Sequence, residues 1–306
     1  MMKLILLHDE GDEAVADQLL RHIKSRKYPL KVSRRTADFD RTGVLGEALA
    51  GASHLMAVLP EKAAVSPWFA FTAGFALGSG RSLLCFPPDA GRPLPSVVKR
   101  FVLIKDPAGL DAYLDRETGE WPQKEAARQA KTALLEQGVP FSGEALADCI
   151  TQRNTWAAAR FIQAGFSPDS RDQAGVPLIC LAARAGDRDI VELLLKAGAA
   201  VNLQAEDRES TALIDGAAGR HIEIMKLLLA AGADVNLKSK AGQSALIISV
   251  GLNDEAAVEL LLKAGAKADE PDTLGASARK YAMLFNKPSM VELFNTYADP
   301  NQGRGV

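Results

Sequence analysis

Six residues in the first quarter of the chain are of types that hold small anionic or nucleotide-like molecules: His8, Asp9, Arg34, Arg35, Trp68 and Thr72. His8 closes an apolar run, and open α/β sheets collect their ligands at the carboxyl ends of strands. The arginines would supply positive charge and Trp68 a face for stacking on a base. The same residues fit a plainer role, with His8 and Asp9 capping a helix, the arginines solvated and Trp68 a partly buried aromatic opening a helix. No other chemistry is legible. His8, His22, His54 and His221 stand far apart, and none has a second His or Cys at ligand spacing, so no metal is expected. The chain has neither a Gly-x-Ser-x-Gly turn nor a phosphate loop ending in Gly-Lys-Ser/Thr, so no catalytic residue and no cofactor are assigned.

The elements that would position these residues alternate. Leu4–Leu7 is a short, continuously apolar run, as in a strand covered on both faces of a parallel sheet. A helix from Asp12 puts Val15, Leu19 and Ile23 on one face, and Asp9, Glu10, Asp12 and Glu13 suit its N-terminus. Further strands are expected over Pro29–Arg34, His54–Leu59, Ser82–Phe86 and Phe101–Ile104, and helices over Gly43–Gly51 and Ser66–Leu77. This order predicts a small doubly wound parallel sheet over residues 1–120, flavodoxin-like, with strand order 2-1-3-4-5.

The order of motifs in this part resembles a Toll/interleukin-receptor-like (TIR-like) domain. His8-Asp9-Glu10-Gly11-Asp12 sits at the first strand-to-helix box, Asp38–Glu47 at the loop after strand two, and Ser66-Pro67-Trp68 at the Ser-x-Trp segment. TIR-like enzymes that cleave NAD use a glutamate four residues after that tryptophan, and this chain has Thr72 there. A neutral hydroxyl cannot supply a carboxylate's charge stabilisation, so the resemblance implies the fold without the reaction. Gly74–Leu83 also resembles the helix-to-strand passage of nucleoside 2-deoxyribosyltransferases, but the acid those enzymes carry before the glycine is again missing. The alternative is an NAD- or nucleoside-cleaving glycohydrolase whose acid has moved to Asp38, Asp40 or Glu47.

The rest of the chain repeats. Ala-Gly-Ala triplets at Ala197–Ala199, Ala231–Ala233 and Ala264–Ala266 place their glycines 34 and then 33 residues apart. Each follows a helical run with leucines on one face, such as Ile190–Leu195, and the glycine stops the helix cheaply in the left-handed conformation. With Gly175-Val-Pro-Leu-Ile, Ser210-Thr-Ala-Leu-Ile and Gly242-Gln-Ser-Ala-Leu-Ile, and Val201-Asn202 recurring as Val235-Asn236, the units resemble ankyrin repeats. Weaker copies extend both ways, through Gly165 and through Asp272–Gly275. An array of about five units over 121–300 follows, entered through a short helical linker at Glu117–Gln123 and a lone helix Gln123–Gln137, with 301–306 as a tail. The ankyrin resemblance implies a concave face of finger tips and inner helices that binds a protein. The candidate residues on it are Asp172, Asp207, Arg208, Glu209, Asp215, Lys238, Lys240 and Asp272, whose signs alternate from finger to finger.

Composition agrees with a soluble protein of two domains, 306 residues long and 47% hydrophobic, with no apolar stretch near the roughly 20 residues that span a bilayer. Cys85, Cys149 and Cys180 are isolated and odd in number, as expected of reduced thiols in the cytoplasm. The net charge is −2 with mixed signs, which argues against a nucleic-acid or anionic-membrane surface. The reading is a non-enzymatic adaptor: an array that captures a protein, joined to a domain that self-associates or holds a nucleotide-like ligand.

Overall fold

The apolar runs of the first part become a five-stranded, wholly parallel sheet. Its strands are β1 (Met2–His8), β2 (Leu30–Thr36), β3 (His54–Val58), β4 (Ser82–Phe86) and β5 (Val102–Leu103), in the order β2-β1-β3-β4-β5. Among the described residues, three α-helices accompany it: α1 (Glu13–Ser25), α2 (Pro67–Ser79) and α3 (Pro107–Glu136). This computed structural model describes residues 1–36, 49, 51–59, 66–87, 94 and 96–298. The acidic stretch Asp38–Glu47, most of the helix expected over Gly43–Gly51 and the tail 301–306 lie outside the described residues. The chain divides into two compact units, Met1–Glu125 and Ala126–Val306.

Alternation along β1 explains its unbroken apolar run. Met2, Leu4 and Leu6 pack with Ala16, Leu19 and Ile23 of α1 and with Leu110 and Leu114 of α3. Ile5 and Leu7 face the other way, onto Trp68, Phe69, Ala73 and Ala76 of α2. Both faces of the strand are covered over Leu4–Leu7, which accounts for the unbroken apolar run there.

The linker residues Glu117–Gln123 are helical: they lie inside α3, and Pro122 is within the helix. Leu110, Tyr113, Leu114 and Trp121 pack against the sheet at helical spacing. That packing outweighs the local preference of Gly119 and Pro122 for a break. Glu117 on the same stripe is buried, with Oε1 3.2 Å from Nε2 of the buried His54 and both oxygens 3.1 Å from Lys124 Nζ. Burial holds the His54 imidazole below its ordinary pKa. Burial pushes Glu117 upward, but the hydrogen bonds from Lys124 and His54 keep it below the usual carboxylate range.

In the second unit five helix pairs follow one another among the described residues: α4 (Gly143–Thr151) with α5 (Thr155–Gln163), α6 (Leu178–Ala185) with α7 (Arg188–Lys196), α8 (Ala212–Ala218) with α9 (Ile222–Ala230), α10 (Ala245–Gly251) with α11 (Glu255–Lys263), and α12 (Ala278–Leu284) with α13 (Pro288–Ala298). Ser142, Asn154, Asp187, Thr211, Ser244, Asp254 and Ser277 each accept a backbone N–H of the first turn, which satisfies donors a helix cannot satisfy itself. Leu146, Phe161, Ile179, Leu194, Leu213, Leu228, Leu246 and Leu261 form one continuous core with their neighbours.

Between pairs, the chain makes a finger turn closed by a single bridge: Arg171 with Pro177, Gln204 with Thr211, Lys238 with Ser244 and Pro271 with Ser277. Three ladders of hydrogen bonds link each finger to the next. Asp169 Oδ1 accepts from Ala200 N (2.8 Å), Asn202 Oδ1 from Asp234 N (2.8 Å) and Asn236 Oδ1 from Lys267 N (3.0 Å). Arg171 donates to Gln204 O, Gln204 to Lys238 O and Lys238 to Pro271 O. Glu206 N donates to Gly175 O, Lys240 N to Arg208 O and Thr273 N to Ala241 O. The first two ladders stop at the last finger. Pro271 has no side-chain donor, and Asp269 already accepts from Arg279 Nε at 2.8 Å.

The finger at 206–209 is one residue longer than the others. Ala205 N donates to Ser210 O, whereas Asp172, Ser239 and Asp272 reach Val176, Gln243 and Ala276. The other three fingers turn their corner on Gly175, Gly242 and Gly275, at φ +72, +73 and +76. The long finger turns on Glu209, at φ 54. A side chain in this left-handed conformation costs on the order of 1 kcal/mol.

Candidate functional site

The long finger stands at the centre of a polar cluster built by three elements. Arg184 comes from the last turn of α6, Asp207 from the finger tip and Asp215 from α8. Arg184 binds Asp207 with two parallel hydrogen bonds, Nη1 to Oδ2 at 2.9 Å and Nη2 to Oδ1 at 3.1 Å. Its Nε donates to Asp215 Oδ2 at 2.9 Å, and Nη2 also reaches Ser210 Oγ at 3.1 Å. Asp215 is 4% exposed, which makes it a buried carboxylate that needs this partner. Burial pushes Asp215 upward against the pull of Arg184, whereas the hydrogen bond from Arg184 holds Asp207 below the usual range.

Arg208 is placed differently. Its guanidinium approaches Asp207 at 3.5 Å and Asp215 at 3.7 Å, makes no hydrogen bond to either, and is largely exposed. Both carboxylates are already engaged by Arg184. Arg208 therefore retains donors for another molecule.

Next to the cluster, between this finger and the following one, lies a groove of about 380 Å³. Its walls are Asp207, Arg208 and Ser210 on one side and Ser239, Lys240, Ala241 and Gln243 on the other, with Ile214 of α8 and Ile248 of α10 at the base. Lys238 is occupied, bonded to Pro271 O and paired with Glu270 at 3.1 Å. Lys240 has no ion pair or side-chain hydrogen bond among the described residues.

Comparison with known proteins agrees with this architecture. Residues 146–239 match the family described as ankyrin repeats in three copies. An ankyrin repeat-containing protein of Treponema pallidum (strain Nichols) is 31% identical over 242 residues, which cover 79% of this chain and 81% of that protein. This chain belongs to the ankyrin repeat-containing proteins. The matched length exceeds the ankyrin unit Ala126–Val306, so part of the first unit is matched as well.

The other residues singled out from the ankyrin fingers serve the turns. Asp172 Oδ1 accepts from Ala174 N and Val176 N, and Asp272 Oδ1 from Leu274 N and Ala276 N, which closes each corner internally. Asp272 Oδ2 also accepts from Tyr281 Oη at 2.8 Å. Glu209 is exposed and is not among the residues lining the groove.

Of the six residues named in the first unit, the structure brings Asp9 and Trp68 together, with Trp68 Nε1 donating to Asp9 Oδ1 at 2.7 Å. Trp68 is 4% exposed, so its ring is a packing element. His8 is fully buried at the end of β1 and donates from Nδ1 to Asp9 O at 2.7 Å. His8 Nε2 and the buried Thr72 hydroxyl have no partner among the described residues. Arg34 lies elsewhere, in an ion pair with Asp17 of α1. Arg35 lines a separate cleft with Lys3 and Lys31.

Arg184, Ser210, Gln243, Ile214 and Ile248 were not singled out from the sequence. A signal for Arg184 exists when the units are set in register. Thr151, Ala218, Gly251 and Leu284 stand at the matching place before each inner turn, and a lone charge there demands a partner.

Proposed function

We propose that this protein is a non-enzymatic binding protein whose ankyrin array captures a protein partner on the face formed by its finger tips and inner helices. The observation that carries this reading is the groove between the fingers at 206–209 and 238–243, where an apolar base is flanked by Arg208 and Lys240. Concave, mostly apolar sites with a few convergent polar groups are where binding is expected. The left-handed Glu209 supports the same place, since strain of this kind concentrates at working sites. The array is read as about five units, the first and last serving as end caps.

A photo-crosslinking residue at Ser239, in the full-length protein within its native cells, tests this reading. It is expected to capture a discrete protein that the same residue at Glu223, on α9, does not. Equal capture from both positions, or none from Ser239, overturns it.

For the first unit the reading is a TIR-like domain that self-associates or holds a nucleotide-like ligand. The parallel strand order and the unpartnered His8 Nε2 at the end of β1 support it. Thermal unfolding with NAD, ATP and free nucleosides, with sedimentation of the protein alone, tests the two roles. No shift and a monomer at all concentrations would remove both. The cytoplasm is the proposed location. Burial pushes the thiols of Cys85 and Cys180 up to about 12, so they are neutral packing groups, and no helix among the described residues is long and apolar enough to cross a membrane.

A further inference from the structure

We propose that the segment seated between Arg208 and Lys240 is an acidic peptide with a single apolar side chain, which enters between Ile214 and Ile248 while flanking carboxylates meet the two cations. This inference rests on the reading that the array binds a protein and adds the chemistry of what it binds.

Of the residues lining the groove, Asp207 alone carries a carboxylate, and both of its oxygens accept from Arg184. Asp215, behind it, is likewise engaged by Arg184. The two acids and Arg184 leave a single net negative charge, which Arg208 offsets at 3.5–3.7 Å without giving up its hydrogen-bond donors. Lys240 then stands as an uncompensated cation on the opposite wall. The acids elsewhere on the long finger do not cancel it. Glu206 leans back toward Arg171 of the preceding finger, at 3.8 Å, and Glu209 lies outside the lining.

Two cations lining one groove with an isoleucine base select by charge and by shape together. A basic segment would meet Arg208 and Lys240 as like charges and lose affinity. A small inorganic anion would satisfy the cations but leave the base at Ile214 and Ile248 wet. A nucleic acid would need a stripe of cations along its backbone, and the adjoining finger ends in Glu270 and Asp272, the first of which holds Lys238. A short acidic stretch around one leucine, isoleucine or phenylalanine meets every wall. Arg208, with its planar fork, would take a carboxylate through two bonds, and Lys240 would act as a point charge.

The experiment is selection of random twelve-residue peptides displayed on phage against the full-length protein, followed by polarisation titrations of the enriched peptides. Enriched peptides are expected to carry two or more Asp or Glu around an apolar residue. Their affinity should fall at least tenfold in Arg208→Glu/Lys240→Glu, and salt should weaken binding to the natural protein. Both side chains are exposed, so unchanged circular dichroism of the variant will separate lost binding from lost fold. Enrichment of neutral or basic peptides that crosslink at Ser239 and ignore the charge reversal overturns the acidic assignment and leaves array binding intact. Failure to enrich any peptide also overturns it, and the Ser239 capture in cells then decides whether the binding reading falls too.

Discussion

The guanidinium of Arg184 lies 2.9 Å from the carboxylate of Asp215, although the two residues belong to successive repeat units and are 31 positions apart. Ser210 also hydrogen-bonds that buried carboxylate, and the same guanidinium fixes Asp207 on the long finger. The long finger is therefore tied to the inner helices of two units at once.

Loss of that partner leaves a buried charge alone. Arg184→Met is expected to destabilise the array by about 3 kcal/mol, the usual cost of breaking a buried pair from one side. Adding Asp215→Leu should return most of the loss, because the unpaired charge is then gone. Urea midpoints followed by circular dichroism check both. A double variant no better than the single one would show that the pair is not the source.

Glu209 should be replaceable with profit to stability. Glu209→Gly removes a side chain from the left-handed corner that the other fingers give to glycine, and an increase of about 1 kcal/mol is expected. The same denaturation measurement reads it, with unchanged or lower stability as the contrary result.

The two asparagines of the Val-Asn pairs each bridge two fingers, Asn202 to Asp234 N and Asn236 to Lys267 N. Asn202→Ala and Asn236→Ala should each cost about 1 kcal/mol. They act at different junctions, so their costs should add within a few tenths of a kcal/mol. A double variant far from the sum would mean that the junctions are coupled more strongly than a linear array allows.

Glycines in similar conformations should differ in what they tolerate. A Cβ at Gly198 (φ +90) would meet nothing within 4 Å, so Gly198→Ala should cost only the backbone strain, about 1 kcal/mol. At Gly242 (φ +73) it would stand 2.7 Å from Thr273 N, the donor of a cross-finger bond. Gly242→Ala should cost at least twice as much, and equal midpoints for the two variants would contradict the cross-finger contact.

His54 gives the first unit a dependence on mild acid. Its folded pKa is lowered by burial, so near pH 6 the unfolded chain binds more protons than the folded one. Stability then rises with pH in that range and falls as pH drops from the unfolded value of about 6.5 toward the folded one. His54→Gln should flatten this part of the profile. The urea midpoint of the transition reported by Trp68 and Trp121 fluorescence, taken from pH 7.5 to 5.5, will show whether it does.

Much of the array was legible because its residues act on close neighbours. The glycine spacing of 34 and then 33 already recorded the longer finger, and Asp207, Arg208 and Asp215 stood out as polar groups around one finger and the helix behind it. Arg184 was hidden because its partners lie 23 and 31 positions away, beyond any local pattern. The first half of α3 was hidden for another reason. Gly119 and Pro122 disfavour a helix locally, and the packing of Leu110, Tyr113, Leu114 and Trp121 on the sheet overrules them. In the first unit, Arg34 and Arg35 are adjacent in sequence, but strand alternation sends them to opposite faces, so they cannot serve one pocket.

A row of fingers joined edge to edge is also a template on which another chain could add, as strands add to an open sheet edge. Pro271 offers no donor to a following finger, and the Asp269 carboxylate is held by Arg279. A second molecule meeting this finger would find no side-chain donor at the position where Arg171, Gln204 and Lys238 supply one. The finger at Pro271 is thus a poorer template for another copy of the repeat than the three fingers before it.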